Sequence, residues 1–289
     1  MAFFRLGARR LTVAWLLLLA CASAAARQVL HTEPSAYAPV VVYEDGGERC
    51  LTFGSAGNGG RQTCVPVDGS PRMVLSYTRM MVSALLAQPA PARVLVIGLG
   101  GGTLPTALAA LLPQARIDVV EIDPAVDRVA QAWFGFRPSA RLRVHHDDGR
   151  AYVERAVHEG SQYDLVLLDA FDADYIPRHL TTQEFLRQVR ALLAPQGVLA
   201  ANTFSSSDFY DRESATYASV FGECFNLRAG NRVIIAVNGT LPDEASLARN
   251  EALWAARLEP YGVDLERERL RYARRLDFPA GTRVLRDGE

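Results

Sequence analysis

The sequence predicts a doubly wound α/β fold, a mostly parallel sheet with helices on its faces, preceded by a small β region and followed by a helical tail. Three observations carry this expectation. Residues 94–97 (VLVI) form a continuous apolar run of the kind a strand buried on both faces requires, and they end in Gly98-Leu99-Gly100-Gly101-Gly102. Residues 163–169 (YDLVLLD) and 198–202 (VLAAN) repeat such runs after intervening helical patterns, and alternating strands and helices wind into a parallel sheet. Residues 224–227 and 232–237, joined by Ala229-Gly230-Asn231, read as a closing hairpin, which adds an antiparallel edge.

The glycine stretch opens the first strand–helix–strand unit. Thr103 is placed to cap a helix, Pro105 falls in its first turn, and Leu104, Leu108, Leu111 and Leu112 recur at helical spacing. Residues 114–121 give a second strand ending in Glu121, about 20 residues after the first glycine, where an acid takes the two hydroxyl protons of a ribose. Glycines also serve ordinary tight turns. The strand before, the helix after and the acid closing the next strand are what mark a nucleotide site. Gly98, Gly100, Gly101, Gly102 and Glu121 are therefore the expected nucleotide-binding residues. The chain contains no lysine, which excludes a Walker loop and Schiff-base chemistry, and GLGGGTLP lacks the G-x-G-x-x-G frame of a pyrophosphate site. A phosphate-free nucleoside such as an adenosyl sulfonium fits better.

A chain of 289 residues, 49% apolar and 22% charged, has room for one α/β domain with an appendage. Its net charge of −1 leaves no electrostatic footprint for nucleic acid. Residues 1–26 stand apart. Arg5, Arg9 and Arg10 precede the apolar run 11–20, and small residues follow at 22–26, the layout of a secretory signal peptide. The run is too short for a comfortable membrane span. Leu18-Leu19-Ala20-Cys21 offers a second reading, a lipoprotein box with Cys21 lipidated, and an uncleaved N-terminal anchor is a third. Arg9-Arg10 makes a poor twin-arginine signal, because Thr12 stands where an apolar residue belongs. Export conflicts with an adenosyl donor, which is made in the cytoplasm.

Residues 28–90 read as a small β region leading into a helix, 91–238 as the sheet domain and 239–289 as Arg-rich helices with a frayed end and no motif. In the first of these, segments 39–44, 50–53 and 62–67 are β-like, with turn-rich residues 54–60 between the last two. Cys50 and Cys64 lie on opposite arms of that hairpin. They are either a disulfide of an exported protein or reduced core cysteines of a cytoplasmic one, with Cys224 unpaired in both cases. Residues 73–86 have helical apolar spacing, and Tyr77 within them either packs on the next domain or reaches the site.

Beyond Glu121, Asp123 and Pro124 open a helix. Residues 141–146 give a third strand, and Asp148 follows at the start of another helix, near the carboxyl edge where such sheets bind ligands. Capping that helix and touching a ligand are compatible roles. His145 and His146 have no partners at metal spacing, so no metal site is expected. The strand 163–169 delivers Asp169, then Asp172 and Asp174, to the same mouth. Carboxylates this close are costly to gather unless a cation or proton joins them, and a protonated amine serves. A crowded acid also tends toward a raised pKa, which suits it to take a proton from an ammonium before nitrogen attacks. The opposing readings are a solvated acidic loop and a calcium loop, the latter without DxDxDG spacing.

Together these residues resemble the spermidine synthase (polyamine aminopropyltransferase) family, whose fold is the Rossmann-like, class I methyltransferase type that uses S-adenosylmethionine. The resemblance spans residues 40–237. It implies that the glycine loop holds the adenosyl donor, with Glu121 on the ribose hydroxyls and Asp148 on the adenine amine. Asp169 and Asp172 match the family's D-[SAT]-x-D catalytic loop, with Asp169 as base, and Tyr77 matches the tyrosine lining the acceptor cleft. LTTQEF (180–185) and LLAPQGVL (192–199) look like further family segments. Two departures stand out. Gly101 replaces the Asp that pairs with the aminopropyl ammonium of the decarboxylated donor, and Thr78-Arg79 replaces the His-Glu after the family tyrosine. GLGGGTLP, VEIDP and WFGF look instead like the C-terminal domain of the eukaryotic methyltransferase that modifies elongation factor 1A.

The expected reaction is aminopropyl transfer from decarboxylated S-adenosylmethionine to an amine acceptor, as in polyamine biosynthesis. N-methyl transfer from S-adenosylmethionine is the alternative, and an exported, non-catalytic nucleoside-binding protein is the second. The adenosyl donor is a co-substrate and no prosthetic group is expected. The expected partner is a small amine or polyamine, with a homodimer and an N-terminal membrane or lipid anchor as further expectations.

Overall fold

The computed structural model describes residues 27–55, 60–171 and 175–288. The signal-like residues 1–26, the hairpin positions 56–59 and Asp172 lie outside the described residues.

The N-terminal region is an antiparallel sheet of four strands, β1 (Gln28–Glu33), β2 (Val40–Asp45), β3 (Glu48–Phe53) and β4 (Thr63–Pro66), in that spatial order. Strand β1 is an edge strand, largely exposed and polar, and so leaves little pattern in the sequence. Cys50 and Cys64 are direct partners across β3 and β4 and are joined as a disulfide. Cys224 is free and buried.

Helix α1 (Ser76–Val82) runs into a 3₁₀ turn (Ser83–Leu86) and leads to the second sheet. There follow β5 (Arg93–Ile97), α2 (Thr103–Leu111), β6 (Arg116–Glu121), α3 (Pro124–Trp133), β7 (Leu142–His146), α4 (Gly149–His158) and β8 (Tyr163–Leu168). Then come α5 (Gln183–Leu192), β9 (Leu193–Phe204), α6 (Tyr210–Phe221), β10 (Phe225–Ala229), β11 (Asn231–Val237), α7 (Glu244–Leu258) and α8 (Leu265–Arg269). The seven strands lie in the order β10-β11-β9-β8-β5-β6-β7. Strands β5 to β9 are parallel, and β10 and β11 form the antiparallel edge.

Alternation along each strand splits its side chains between two cores, which is why the central strands are apolar throughout. Val94, Val96, Val119, Leu165 and Leu167 enter one core; Leu95, Ile97, Val120, Val166 and Leu168 enter the other. Helices α1, α2 and α3 cover the first face, while α4, α5 and α6 cover the second.

The structure corrects two local expectations and shows a break within one strand. Thr103 does not cap α2; the cap position is Gly102 at φ 78°, and the buried Thr103 hydroxyl has no hydrogen-bond partner among the described residues. Pro195-Gln196-Gly197 interrupts β9 from within. Pairing with β8 jumps from Tyr163↔Leu193 to Leu165↔Val198, and Gln196 takes the left-handed φ of 61°. The C-terminal end is not frayed. Leu285 is buried, its N–H donates to Thr216 Oγ1 at 2.8 Å, and its carbonyl accepts from Gln183 N at 2.8 Å. Among the described residues no helix is long and apolar enough to cross a membrane.

Candidate active site

The chain leaves β5 toward β6 and β7, then returns to place β8 on the other flank of β5. Ligands of doubly wound sheets bind in the crevice at that reversal, outside the carboxyl ends of the strands. Gly98 and Asp169 emerge there side by side. The Asp169 N–H donates to the Ile97 carbonyl and the Gly98 N–H to the Val120 carbonyl, both at 2.8 Å. Gly98 has φ +97°, and a Cβ on it would stand 2.2 Å from the Asp169 carbonyl oxygen, so both backbone conformation and space require glycine.

The rest of the loop presses on the N-terminal sheet. Gly100 and Gly102 are also left-handed, and a Cβ on Gly101 would meet Thr63 Cγ2 at 2.6 Å and the Phe134 ring at 3.0 Å. The Gly101 N–H donates to Thr63 Oγ1 at 2.8 Å.

Glu121 is 8% exposed at the end of β6. Its Oε2 accepts from Leu99 N and its Oε1 from Asp123 N, both at 2.9 Å, which ties the carboxylate to the glycine loop and to the start of α3. Burial raises its pKa, and these backbone donors resist the rise. Three backbone donors, Leu99, Asp123 and Ile122, share the two oxygens, which leaves lone-pair capacity for a further donor.

Asp148 caps α4 as expected, Oδ1 accepting from Arg150 N and Ala151 N at 3.0 Å. Its Oδ2 pairs with His179 Nε2 at 2.8 Å. Burial pushes its pKa up, but the Ala151 N–H, His179 and the Arg150 N–H outweigh that and hold it below the ordinary value.

Asp169 is partly buried, with Oδ1 accepting from Asn202 Nδ2 at 2.8 Å, and Asn202 Oδ1 in turn accepts from Asn231 Nδ2 at 3.2 Å. The Tyr77 hydroxyl donates to the Gln62 carbonyl at 3.0 Å and also interacts with the Asp169 carboxyl. Desolvation pushes the Asp169 pKa up to about 7, against the hydrogen bonds from Asn202 and Tyr77. The Tyr77 phenol is raised in turn, first by burial and then by the Asp169 charge.

Following Asp169 in the chain, Phe171 packs edge-on and Tyr175 tilted against Phe204, with ring centroids 5.3 and 5.5 Å away. Tyr175 and Phe204 join Asp208 and Phe209 in lining a cavity of about 380 Å³.

The structure thus brings Gly98, Glu121, Asp169 and Tyr77 to one edge, while Asp148 stands at the end of the flanking strand β7. Sequence reasoning missed Asn202, His179 and Thr63. Asn202 carries a signal, as the polar residue near the end of the apolar β9 run at the ligand edge. His179 and Thr63 carry none, because each meets its partner across 31 and 38 residues of chain.

Residues 74–228 match the spermine/spermidine synthase domain. A polyamine aminopropyltransferase of Vibrio vulnificus is 44% identical over 265 residues, covering 90% of this chain and 88% of that protein. A probable spermidine synthase from Corynebacterium glutamicum shares the fold, with a TM-score of 0.67 at 22% identity over 90% of this chain and 96% of that one. Human methyltransferase-like protein 13 in complex with SAH is similar at a TM-score of 0.55 and 30% identity, over 72% of this chain and 97% of that one. The strand–glycine–helix unit, the acid closing β6 and these matches lead to one conclusion: the chain belongs to the spermine/spermidine synthase family.

Proposed function

We propose that this chain transfers an aminopropyl group from decarboxylated S-adenosylmethionine to a small amine or polyamine acceptor. The observation that carries the reading is Asp169, whose carboxyl titrates near pH 7 and whose backbone touches the first glycine of the donor loop. Gly98, Gly100, Gly101 and Gly102 let the adenosyl group approach the backbone, Glu121 takes the ribose hydroxyls on its free lone pairs, and Asp148 faces the adenine amine. Asp169 accepts a proton from the acceptor ammonium. The freed lone pair attacks the carbon on sulfur, the C–N bond forms as the C–S bond breaks, and sulfur leaves as a neutral thioether. Tyr77 and Asn202 orient Asp169, Asp172 is the second acid for the acceptor, and the cavity lined by Tyr175, Phe204, Asp208 and Phe209 suits a cation. Catalysis is mostly positioning, since a sulfonium is already a reactive leaving group.

Methyl transfer is the second reading. It is favoured by Gly101, which offers no acid to an aminopropyl ammonium, and by the likeness to a methyltransferase. The layout of residues 1–26 and the Cys50–Cys64 disulfide support work on the exported, oxidising side of a membrane.

Titration calorimetry with the decarboxylated and the intact donor tests the reading. The decarboxylated donor is expected to bind about tenfold tighter, or roughly 1.4 kcal/mol. Preference for the intact donor moves the assignment to methyl transfer, and binding of neither leaves a non-catalytic protein.

A further inference from the structure

We propose that Thr63 is a positioning residue for the donor loop, and that the Cys50–Cys64 disulfide holds it in place, making donor binding sensitive to reduction. The inference rests on the assignment of the glycine loop to the donor.

Gly98, Gly100 and Gly102 all take positive φ, and glycine has more unfolded freedom to lose than other residues, so contacts from outside the loop help to fix it. Thr63 is 5% exposed and lies against that loop. Its Oγ1 takes the buried Gly101 N–H at 2.8 Å, a donor that would otherwise lack a partner, and its Cγ2 fills the space beside the glycine. The residue before it, Gln62, receives the Tyr77 hydroxyl that interacts with Asp169. The residue after it, Cys64, is bonded to Cys50 directly across β3. Three consecutive residues therefore touch the tyrosine beside the base, the donor loop and the cross-link. Strand β4 is the edge of its sheet and pairs only with β3, so the disulfide supplies the lateral hold that a second neighbouring strand would give.

Reduction by dithiothreitol moves two electrons and two protons to the protein. The S–S bond opens to two thiols while the reagent closes to its cyclic disulfide. Strand β4 then loses its covalent tie to β3, and the register of Thr63 against Gly101 rests on hydrogen bonds alone.

The test uses the full chain and calorimetry with decarboxylated and intact S-adenosylmethionine. Thr63→Val keeps the shape and loses the acceptor; its donor affinity is expected to fall about five- to tenfold, the effect of one buried hydrogen bond, with kcat at saturating donor changed less. Thr63→Ser restores the hydroxyl and is expected to bind within about twofold of the parent. Dithiothreitol reproduces the Thr63→Val loss in the parent and reoxidation reverses it, while the Cys50→Ser/Cys64→Ser protein binds weakly with or without the reagent. Parent affinity in Thr63→Val, or equal loss in Thr63→Val and Thr63→Ser, overturns the role of the hydroxyl. If the parent binds neither donor, the functional reading fails on its own. Hydrogen exchange at the Gly101 amide then decides this inference, since protection must fall in Thr63→Val and under reduction.

Discussion

Asp169 is the side chain proposed to accept the proton. Its place could be read from the sequence, because it ends an apolar run at the edge where doubly wound sheets bind ligands. Its environment could not. Asp172 and Asp174, the expected crowding acids, lie outside the described residues; burial pushes the Asp169 pKa up, with Asn202 and Tyr77 pulling the other way. Those partners come from β9 and α1, far from Asp169 in sequence. A carboxyl titrating near 7 must be ionised to accept a proton, so kcat/KM is expected to rise with pH through about 7 and then level off. Asp169→Asn, which keeps the shape, should lower kcat by about 10²- to 10⁴-fold and leave the donor dissociation constant unchanged. A pH–rate series with single-turnover kinetics checks both, and an unchanged rate would remove Asp169 from the chemistry.

At the scale of elements, strands and helices of the sheet were legible because each repeats a local pattern, continuous apolar for β5 and β8 or capped by an acid for α3 and α4. The C-terminal segment was not, since what holds it is dispersed. Its residues bond to Gln183, Thr216 and Arg150, none close to it in sequence. Asp287 takes both Arg150 Nη1 (2.7 Å) and Nη2 (2.5 Å), which holds its carboxyl down at about 2. Arg150 also reaches the His179 carbonyl at 3.4 Å, and His179 pairs with Asp148. The chain end is therefore linked to the acid assigned to the adenine. Asp287 is exposed enough that Asp287→Ala should cost no more than about 1 kcal/mol of stability. Its effect is expected in the donor dissociation constant, about two- to fivefold weaker, as His179 and Asp148 loosen. Thermal unfolding beside donor calorimetry separates the two outcomes, and an unchanged dissociation constant would make the strap purely structural.

Across the whole molecule the same acid links function to stability. The parallel sheet with its antiparallel edge followed from alternation of patterns, but the seating of the N-terminal sheet on the glycine loop did not, because Thr63 makes that contact from 38 residues away. The assembled mouth shields Asp169 from water. Its folded-state pKa near 7 lies above the 3.8 of the ordinary carboxyl, so between these values the folded state holds the proton more tightly than the unfolded one. Stability from this group is thus fully present below pH about 4, declines as pH rises toward 7 and is flat above it. The shift corresponds to roughly 4 kcal/mol at most, a large fraction of a typical domain's stability. Asp169→Asn removes the titration. It should therefore match the parent near pH 4 and exceed it at pH 8 by up to a few kcal/mol, while losing turnover, as expected where an active site carries a group that folding alone would not select. Urea midpoints of both proteins at the two pH values test this. A parent as stable as Asp169→Asn at pH 8 would mean that the carboxyl is well hydrated and titrates in the ordinary range.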